Sequence, residues 1–443
     1  MTQCKKLDFQ PDLLALHQFK PDQYPYLLAS NTEGQINTSF SILMAYPEQT
    51  VKQFLGKPDI LKQIKTKLSE SLNCSIDEEY ADLPFVGGWF VYLSYEYAQF
   101  VETSVDFTND NSGLPIAFLS RIPAAVIIDH DNKQSYVVSV ESRPDLLDSI
   151  CNDLDSLPVE LHTPEVPRSV VVEEDADIYR EFLKKTRQYI IDGDVFQANL
   201  SRLWSVTFAS KCDPIALYRQ LKKHNPAPFA ALVKIDDSYL LSSSPERLIS
   251  VKNGFAETRP IAGTHPRGQS EGEDFELAQK LLKHPKERAE HIMLIDLERN
   301  DLGRICIPGS ITVSDKMTLE TYQHVHHIVS SVSGKLKPQQ SFKDVIHAVF
   351  PGGTITGCPK VRCMQIINEL EQAARGAYTG SVGYISDHGV MDMNILIRTM
   401  TYQDNTVTFR AGAGIVIDSV TEKELNETRH KARGLLDAIQ SDQ

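Results

Sequence analysis

Residues 379–417 read TGSVGYISDHGVMDMNILIRTMTYQDNTVTFRAGAGIVI, a stretch with three β-rich runs and no helical pattern between them. The runs lie at 379–386, 395–402 and 407–417. A helical pattern follows only at Thr421–Gln440, where apolar residues recur at i, i+3 and i+4. Strands that do not alternate one by one with helices fit a βαβ or barrel pattern poorly. The stretch therefore predicts a mixed α+β protein.

The rest of the chain shows the same mixture of elements. Further strands are predicted at 39–45, 87–93, 124–128, 135–140, 203–208, Phe229–Ile235 and 239–241. Further helices are predicted at 177–192, 273–283, 285–298 and 358–372. The predicted fold class is α+β, with large, mainly antiparallel β-sheets.

Composition excludes several classes of function. The 443 residues carry 45 Lys and Arg against 59 Asp and Glu, a formal net charge of −14. This charge disfavours a surface for nucleic acid or anionic membrane, although one local cation site can hold a small anion. No apolar run approaches the ~18 residues of a membrane span, and the N-terminus lacks the apolar region of a signal peptide. The seven cysteines form no C-x-x-C pair, so we expect a soluble, cytoplasmic protein.

A domain boundary is predicted where prolines cluster. Residues 157–167 read LPVELHTPEVP and contain three prolines. The prediction is an N-terminal β-rich region at 1–160 and a catalytic domain at 168–443. Residues suited to chemistry concentrate in the second region.

Two glutamate pairs are candidate metal ligands. Glu287 with Glu290, and Glu424 with Glu427, stand at i and i+3 and so share one face of a predicted helix. Four carboxylates from two facing helices would suit Mg²⁺, which binds one or two directly and others through water. Lys431 lies one turn after Glu427 and could hold an anion. The alternative is that these are solvated helix surfaces and that Thr421-x-x-Glu424 is a capping box.

Two glycine-rich segments are candidate anion cradles. Residues 350–360 read FPGGTITGCPK and run into a predicted helix, while 411–415 read AGAGI and contain Gly412 and Gly414. Backbone N–H groups exposed at glycines can bind carboxylates or phosphates. Neither segment is a Walker A loop. Two tight turns are the alternative interpretation.

Other polar residues suit the binding of an acidic compound. Glu246, in Ser-Pro-Glu, is a candidate acid, and 259–264 (RPIAGT) is a candidate anion clamp. Tyr384 and Arg398 lie in adjacent predicted strands and could supply a phenol and a guanidinium to a carboxylate. Two adjacent histidines stand at 326–327. Each of these residues could instead be structural.

Eight ordered blocks together resemble the chorismate-utilising enzymes: anthranilate synthase component I, aminodeoxychorismate synthase component I, isochorismate synthase and salicylate synthase. The blocks are SSSPER (242–247), TRPIAGTHPRG (258–268), ERAEHIMLIDLERNDLGR (287–304), HHIVSSV (326–332), FPGGTITGCPKVRCMQIINELE (350–371), GAYTGSVGYIS (376–386), MDMNILIRT (391–399) and GAGIVIDS…ETRHKA (412–432). The resemblance covers about residues 170–440, with a looser match at 82–96. It implies two sheets packed as a sandwich with helices outside.

The resemblance also implies bound Mg²⁺ and chorismate. The implied metal ligands are Glu290 and Glu427, with Glu287 and Glu424 supporting them through water. The implied carboxylate-binding groups are Thr264, Tyr384, Arg398, Lys431 and the backbone of Gly412 to Gly414. Glu246 matches the acid/base glutamate near C4 of the substrate, and His327 matches the histidine of its block.

Gln197 indicates which nucleophile is used. Isochorismate and salicylate synthases activate water with a lysine in this block, which here reads FQANL with Gln197 in the lysine's place. Because glutamine is no base, a member that uses ammonia is favoured. Asn199 in the same block resembles aminodeoxychorismate synthase. So does the stretch 27–30 (LLAS), which lacks the L-L-E-S element of tryptophan feedback in anthranilate synthases.

Ala262 favours the alternative, anthranilate synthase component I. Some aminodeoxychorismate synthases carry a lysine in P-I-K-G-T, proposed to attack C2, where this chain has Ala262. The favoured function is amination of chorismate at C4 for p-aminobenzoate and folate synthesis. A non-catalytic paralogue is a minor alternative, although the glutamate pairs and Glu246 are present. No G-x-C-x-G elbow of a glutaminase occurs, which implies a separate amidotransferase subunit as ammonia source.

Overall fold

The computed structural model describes residues 2–30, 40–54, 56–64, 78–108, 113–158, 163–268, 270–321 and 325–440, apart from the side chains of residues 63, 78, 262, 264–266, 271, 286 and 325. The described strands are β1 Gln3–Leu7, β2 Tyr26–Ala29, β3 Phe40–Ala45, β4 Gln49–Gln53, β5 Gly88–Leu93, β6 Ala117–Ile122, β7 Ala124–Asp129, β8 Gln134–Ser139, β9 Ser169–Glu173, β10 Gln197–Phe208, β11 Phe229–Ile235, β12 Ser238–Ser244, β13 Arg247–Lys252, β14 Phe255–Thr258, β15 Ile261–Pro266, β16 Thr312–Thr321, β17 Val325–Lys335, β18 Gly357–Cys358, β19 Ser381–Ser386, β20 Met391–Asn394, β21 Thr399–Gln403 and β22 Thr406–Ile415. The described α-helices are α1 Leu13–Phe19, α2 Asp145–Asp155, α3 Ala176–Ile191, α4 Pro214–His224, α5 Glu271–Lys283, α6 Pro285–Ile305, α7 Phe342–Val349, α8 Lys360–Glu371 and α9 Thr421–Gln440. The described 3₁₀ turns are Ile60–Gln63, Glu78–Tyr80, Tyr95–Phe100 and Gly353–Ile355.

The strands form two large antiparallel sheets. The first has the order β1-β8-β7-β3-β2-β11-β12-β21-β22-β10-β18, and β9 also pairs with β10. The second has the order β15-β17-β14-β13-β20-β19-β5-β6-β4, and β16 also pairs with β17. The longest pairing in the first sheet, β10 with β22, runs from Ala198 opposite Ile415 to Thr207 opposite Thr406.

The sheets pack face to face across an apolar layer. Tyr26 of the first sheet stacks on Phe90 of the second, with ring centroids 4.0 Å apart. Ile42 and Val233 from the first sheet and Tyr92 from the second belong to the same buried cluster. Alternating side chains let each strand present one face to this layer and the other to the helices. The predicted α+β sandwich is confirmed.

Strands from both predicted regions join in the same sheets. β2 pairs with β11, with Leu27 opposite Leu232. β5 pairs with β19, with Trp89 opposite Ile385. The proline-rich segment 157–167 therefore separates two stretches of chain whose strands are hydrogen-bonded to one another in both sheets.

Two elements near the site differ from their predicted bounds. Helix α6 begins with His284 as N-cap and Pro285 in its first turn, and it continues to Ile305, well beyond the predicted end at residue 298. The predicted strand 395–402 is wrong at its start, because β20 ends at Asn394 and β21 begins at Thr399. Arg398, between these strands, has a left-handed backbone with φ of 51°.

No helix in the described part of the chain is long and apolar enough to cross a membrane.

Candidate active site

Gln197, the first residue of β10, is buried next to helix α6. Its Nε2 atom donates a hydrogen bond of 3.2 Å to Glu290 Oε1. Its Oε1 atom is buried and has no hydrogen-bond partner among the described residues. Cys363 Sγ donates to the backbone oxygen of Gln197 at 3.0 Å. The strand end is thus held in place, and the amide lies beside a predicted metal ligand with one acceptor available.

Asn199 links β10 to the glycine-rich segment 350–360. Its Nδ2 atom donates to the carbonyl of Thr354 at 3.0 Å, and its backbone N–H donates to the carbonyl of Thr356 at 2.9 Å. The hydroxyl of Thr354 donates to Glu246 Oε1 at 2.6 Å. This part of the segment is therefore a turn that connects Asn199 with Glu246.

Glu246 is a buried acid between positively charged groups. Burial raises its pKa to about 7, and this shift is opposed by the Thr354 hydroxyl and by the charges of Lys431 and Arg398. A carboxyl group that titrates near neutral pH can donate a proton in a reaction at physiological pH. The arrangement provides an acid with two cations that can hold an anion beside it.

The glycines of β22 leave room for polar groups from neighbouring elements. Gly414 lies opposite Asn199 in the sheet, and a side chain there would overlap the amide of Gln197. A Cβ atom on Gly412 would lie 2.7 Å from the hydroxyl of Tyr378. Glycine is needed at these two positions because a side chain would collide with its neighbours, and not because of the backbone angles.

Helix α9 places Lys431 against β22. Lys431 Nζ donates to the carbonyl of Gly412 at 3.0 Å and forms an ion pair of 2.8 Å with Glu427. Glu427 is 47% exposed and Lys431 44%, so both can reach a ligand. Glu424, one turn earlier, is buried.

His327 and Glu287 meet at Gly263, on the other side of the site. His327 lies in β17 opposite Thr264 and hydrogen-bonds the backbone of Gly263. Burial, aided by the charge of Arg398, lowers the pKa of His327 to about 4, so the ring is neutral at pH 7. Gly263 has φ of 64°, and a Cβ atom there would lie 2.9 Å from Glu287 Oε2. The side chains of Thr264 and Ala262 are outside the described part of the chain.

The structure does not bring Tyr384 to this cluster. Tyr384 packs edge-on against Phe85, with ring centroids 5.8 Å apart, and burial and the charge of Asp392 raise its pKa well above the usual range. It lines a separate pocket that also contains Ala29 and Asn394. Along β19, residue 384 points into the layer between the sheets, because successive side chains alternate.

Tyr378, from the same block as Tyr384, lies beside β22. Its hydroxyl lies at Gly412, and the charge of Lys431 acts on it. Both tyrosines stand in the block GAYTGSVGYIS, so the block alone did not distinguish them. Thr354 was also missed, although the glycine-rich segment that carries it was a candidate.

A buried ion network supports the site from behind. Arg375 Nη2 donates to Glu371 Oε1 and to the carbonyl of Asn199, both at 2.7 Å. Glu371 also accepts from the backbone N–H of Ser201 at 2.8 Å, and Arg410 lies 3.4 Å from its other oxygen. Nothing in the sequence pattern indicated that these charges are buried together.

The predicted glutamates suit Mg²⁺ by donor chemistry. Carboxylate oxygens are the ligands that this hard ion prefers, and it usually takes one or two of them and keeps several waters. No group of three or more His, Cys, Asp or Glu side chains in the described ranges is arranged to hold a metal ion. The Oε1 atom of Glu290 accepts from Gln197, and that of Glu427 is paired with Lys431. One or two carboxylate ligands completed by water are the arrangement that this donor set would suit.

The described residues thus gather a buried carboxyl, two cations whose charges act on it, and carboxylates of the kind that suits a divalent ion. Comparison with known proteins then gives the family. The family model described as chorismate binding enzyme matches residues 23–437. This chain belongs to that family.

Named relatives include two kinds of component I. The chain is 41% identical over 365 residues to an anthranilate synthase component I-like protein of Synechocystis, covering 81% of this chain and 74% of the relative. It is 38% identical over 381 residues to aminodeoxychorismate synthase component 1 of Bacillus subtilis, covering 84% of this chain and 80% of the relative. The crystal structure of anthranilate synthase component I from Streptococcus pneumoniae matches with a TM-score of 0.80 and 31% identity, covering 90% of this chain and 93% of that chain.

Proposed function

We propose that this chain is the aminating component of an aminodeoxychorismate synthase. Ammonia replaces the C4 hydroxyl of chorismate, water leaves, and 4-amino-4-deoxychorismate is the product, a precursor of p-aminobenzoate and folate. The observation that carries the proposal is Glu246, a buried acid with a pKa of about 7 on which the charges of Lys431 and Arg398 act. An acid of this kind can protonate the departing hydroxyl.

The chain's own residues bind and orient the substrate. Lys431 and Arg398 neutralise the two carboxylates, and Tyr378 donates a hydrogen bond from its place beside Gly412 of β22. Thr264 is a further carboxylate-binding candidate. Gly412 and Gly414 leave room beside the strand for the Tyr378 hydroxyl and the Gln197 amide. Neutral His327 maintains the position of Gly263 beside the substrate.

Mg²⁺ is the proposed cofactor. Glu290 and Glu427 would hold it directly, with Glu287 and Glu424 supporting it through water. When bound, the ion supplies positive charge that binds a substrate carboxylate. Gln197, through its hydrogen bond to Glu290, connects this ion site with the place where the nucleophile arrives.

Ammonia is the proposed nucleophile, supplied by a separate glutaminase subunit. The buried Oε1 atom of Gln197 can accept a hydrogen bond from ammonia, and an amide cannot deprotonate water. The relatives named as component I support a two-component enzyme. A cytoplasmic location is part of the same proposal, since such biosynthetic enzymes use soluble metabolites.

Anthranilate synthase component I is the second candidate. Ala262 and the names of several relatives favour it. In that case ammonia attacks C2 and the ring loses pyruvate. One observation supports the first candidate. Ala29 lines the pocket at Tyr384, and the L-L-E-S element of anthranilate synthases would place a carboxylate at that position.

Product identification tests the proposal. The purified chain is incubated with chorismate, Mg²⁺ and an excess of an ammonium salt, and the products are separated and identified by mass and fluorescence. We expect 4-amino-4-deoxychorismate with its enolpyruvyl group retained, and no turnover with glutamine alone. Anthranilate and pyruvate as main products would establish the second candidate instead.

A further inference from the structure

Thr379 has a backbone conformation that threonine rarely adopts. It directly follows Tyr378, the tyrosine whose hydroxyl lies at Gly412, and its φ is 63°. A β-branched side chain in this left-handed region is strained, and such strain persists only where the surrounding structure holds the backbone in place. Thr379 is only 1% exposed, so neighbouring groups enclose it. The strain therefore lies one residue away from a side chain of the site.

The backbone at Thr379 is held between two neighbouring segments. Its N–H donates to the carbonyl of Leu396 at 2.8 Å, and the N–H of Leu396 donates to the carbonyl of Gly380 at 2.8 Å. Gly380 in turn lies against the end of β5, where a Cβ atom on it would be 2.2 Å from the backbone oxygen of Leu93. Because Gly380 is enclosed in this way, the chain cannot relax by moving towards β5.

The side chain of Thr379 connects Tyr378 with a buried arginine. Its hydroxyl donates to the carbonyl of Tyr378 at 2.5 Å and accepts from Arg375 Nη1 at 3.4 Å. The guanidinium of Arg375 is 5.5 Å from the ring centroid of Tyr378, and its Nη2 atom donates to the carbonyl of Asn199 at 2.7 Å. The Thr379 hydroxyl thus links the backbone of Tyr378 to the cation that lies over its ring.

We propose that Thr379 is a positioning residue for chorismate binding, which holds Tyr378 so that its hydroxyl stays beside Gly412. The hydroxyl of Thr379 ties the Tyr378 carbonyl to Arg375, and its left-handed backbone sets the direction in which the chain leaves Tyr378. A turn alone would be closed at lower cost by glycine or asparagine, which adopt this backbone more readily. Threonine supplies a hydroxyl that glycine lacks. The inference rests on the substrate-binding role of Tyr378 in the proposed function.

The test is the affinity of Thr379→Val for chorismate. Valine keeps the branched shape and removes the hydroxyl. The dissociation constant is measured by isothermal titration calorimetry on the full chain with Mg²⁺ and without ammonium, so that no amination takes place. We expect binding about three- to fivefold weaker than that of wild type, which is part of the worth of one hydrogen bond. Thr379→Ser keeps the hydroxyl and should bind within about twofold of wild type.

A double variant shows whether Thr379 acts through Tyr378. Added to Tyr378→Phe, the change Thr379→Val should weaken binding no further, because the hydroxyl that Thr379 positions is already gone. Independent contributions would multiply to a loss of about 15-fold or more, and that result would overturn the proposal. Undiminished affinity in Tyr378→Phe itself would overturn it as well. With ammonium present, KM of Thr379→Val should rise while kcat stays within about twofold of wild type.

Thr186→Val is the matched control, because Thr186 is also buried and its hydroxyl donates to a backbone carbonyl, that of Phe182, at 2.9 Å. It should leave the affinity for chorismate unchanged. Thr379→Gly is a second variant, which adopts the left-handed backbone without strain and also lacks the hydroxyl. It should bind as weakly as Thr379→Val. Wild-type affinity in Thr379→Gly would overturn the proposal and assign Thr379 a structural role.

The affinity measurement separates this inference from the proposed function, because chorismate binding does not depend on which product forms. The expected affinities together with anthranilate as product would leave the Thr379 assignment standing while the proposed function fails. Wild-type affinity in Thr379→Gly together with 4-amino-4-deoxychorismate as product would overturn the assignment and leave the proposed function standing.

Discussion

Glu246 and Glu371 are both buried glutamates, yet their surroundings favour opposite protonation states. Burial alone would raise the pKa of either side chain. At Glu371, the charges of Arg375 and Arg410 and the Ser201 N–H outweigh burial, so its pKa falls below the usual range. At Glu246, one hydroxyl and two more distant cations do not outweigh burial, and its pKa rises to about 7.

The comparison teaches how to separate a structural carboxylate from a reactive one. Glu371 is fully neutralised by direct partners and joins β10 to helix α8, so it holds Asn199 in place. Glu246 accepts a hydrogen bond from the Thr354 hydroxyl, and the charges of Lys431 and Arg398 act on it. Incomplete neutralisation is what makes the second carboxyl suitable for proton transfer.

The largest expected effect is on stability, from Glu371→Gln. The substitution leaves Arg375 and Arg410 buried without their counter-charge, which should cost about 3–5 kcal/mol of unfolding free energy. Denaturant unfolding followed by circular dichroism measures this loss. Glu369→Gln, an exposed position on the same helix, should change it by no more than about 0.5 kcal/mol. Equal stability of the two variants would refute the role assigned to Glu371.

The second-largest expected effect is that of Glu246→Gln, which should lower activity without lowering stability. An amide cannot donate the proton, so the turnover number should fall by about 10²–10⁴-fold while the unfolding free energy stays close to that of wild type. Chorismate consumption in an ammonium-supplemented assay measures the first quantity. Glu181→Gln, an exposed change on α3, serves as control. Activity within about tenfold of wild type would remove Glu246 from the role of acid.

Thr354→Val should change the pH dependence of the reaction. Because protonated Glu246 is the active form, activity should fall as the pH rises through about 7. Removing the hydroxyl that stabilises ionised Glu246 raises its pKa, and the alkaline limb should move up by about one pH unit. Thr401→Val, in β21, is the control, and a downward shift would contradict the hydrogen bond of 2.6 Å.

The smallest expected effect is on substrate binding, from a change at Tyr378. The guanidinium of Arg375 is 5.5 Å from its ring centroid, and its hydroxyl lies at Gly412. Tyr378→Phe should raise KM for chorismate by about 5–10-fold, the worth of one hydrogen bond. Tyr384→Phe should leave KM within about twofold. A raised KM in Tyr384→Phe with an unchanged KM in Tyr378→Phe would instead make Tyr384 the substrate-binding tyrosine.

Local patterns predicted much of the fold and part of the site. Helix α9 was predicted with its observed bounds because its apolar residues recur along one face. Strand β10 was predicted only from residue 203, yet it begins at Gln197. The block of Gln197 and Asn199 lacks a β-rich pattern, and its strand conformation depends on pairing with β22 and β18. The kink at Arg398 is likewise determined by the connection between two strands of different sheets.

By itself, the sequence determined the α+β class, the paired glutamates on α6 and α9, and Glu246 as a candidate acid. These follow from spacing and residue type, which act over one or two turns of chain. Only the tertiary structure decided that the Tyr378 hydroxyl lies beside Gly412 of β22 while Tyr384 lies in the layer between the sheets. It also decided that Glu371 is charged while Glu246 titrates near neutral pH. Burial and electrostatic interaction depend on groups far apart in the chain, which no local pattern brings together.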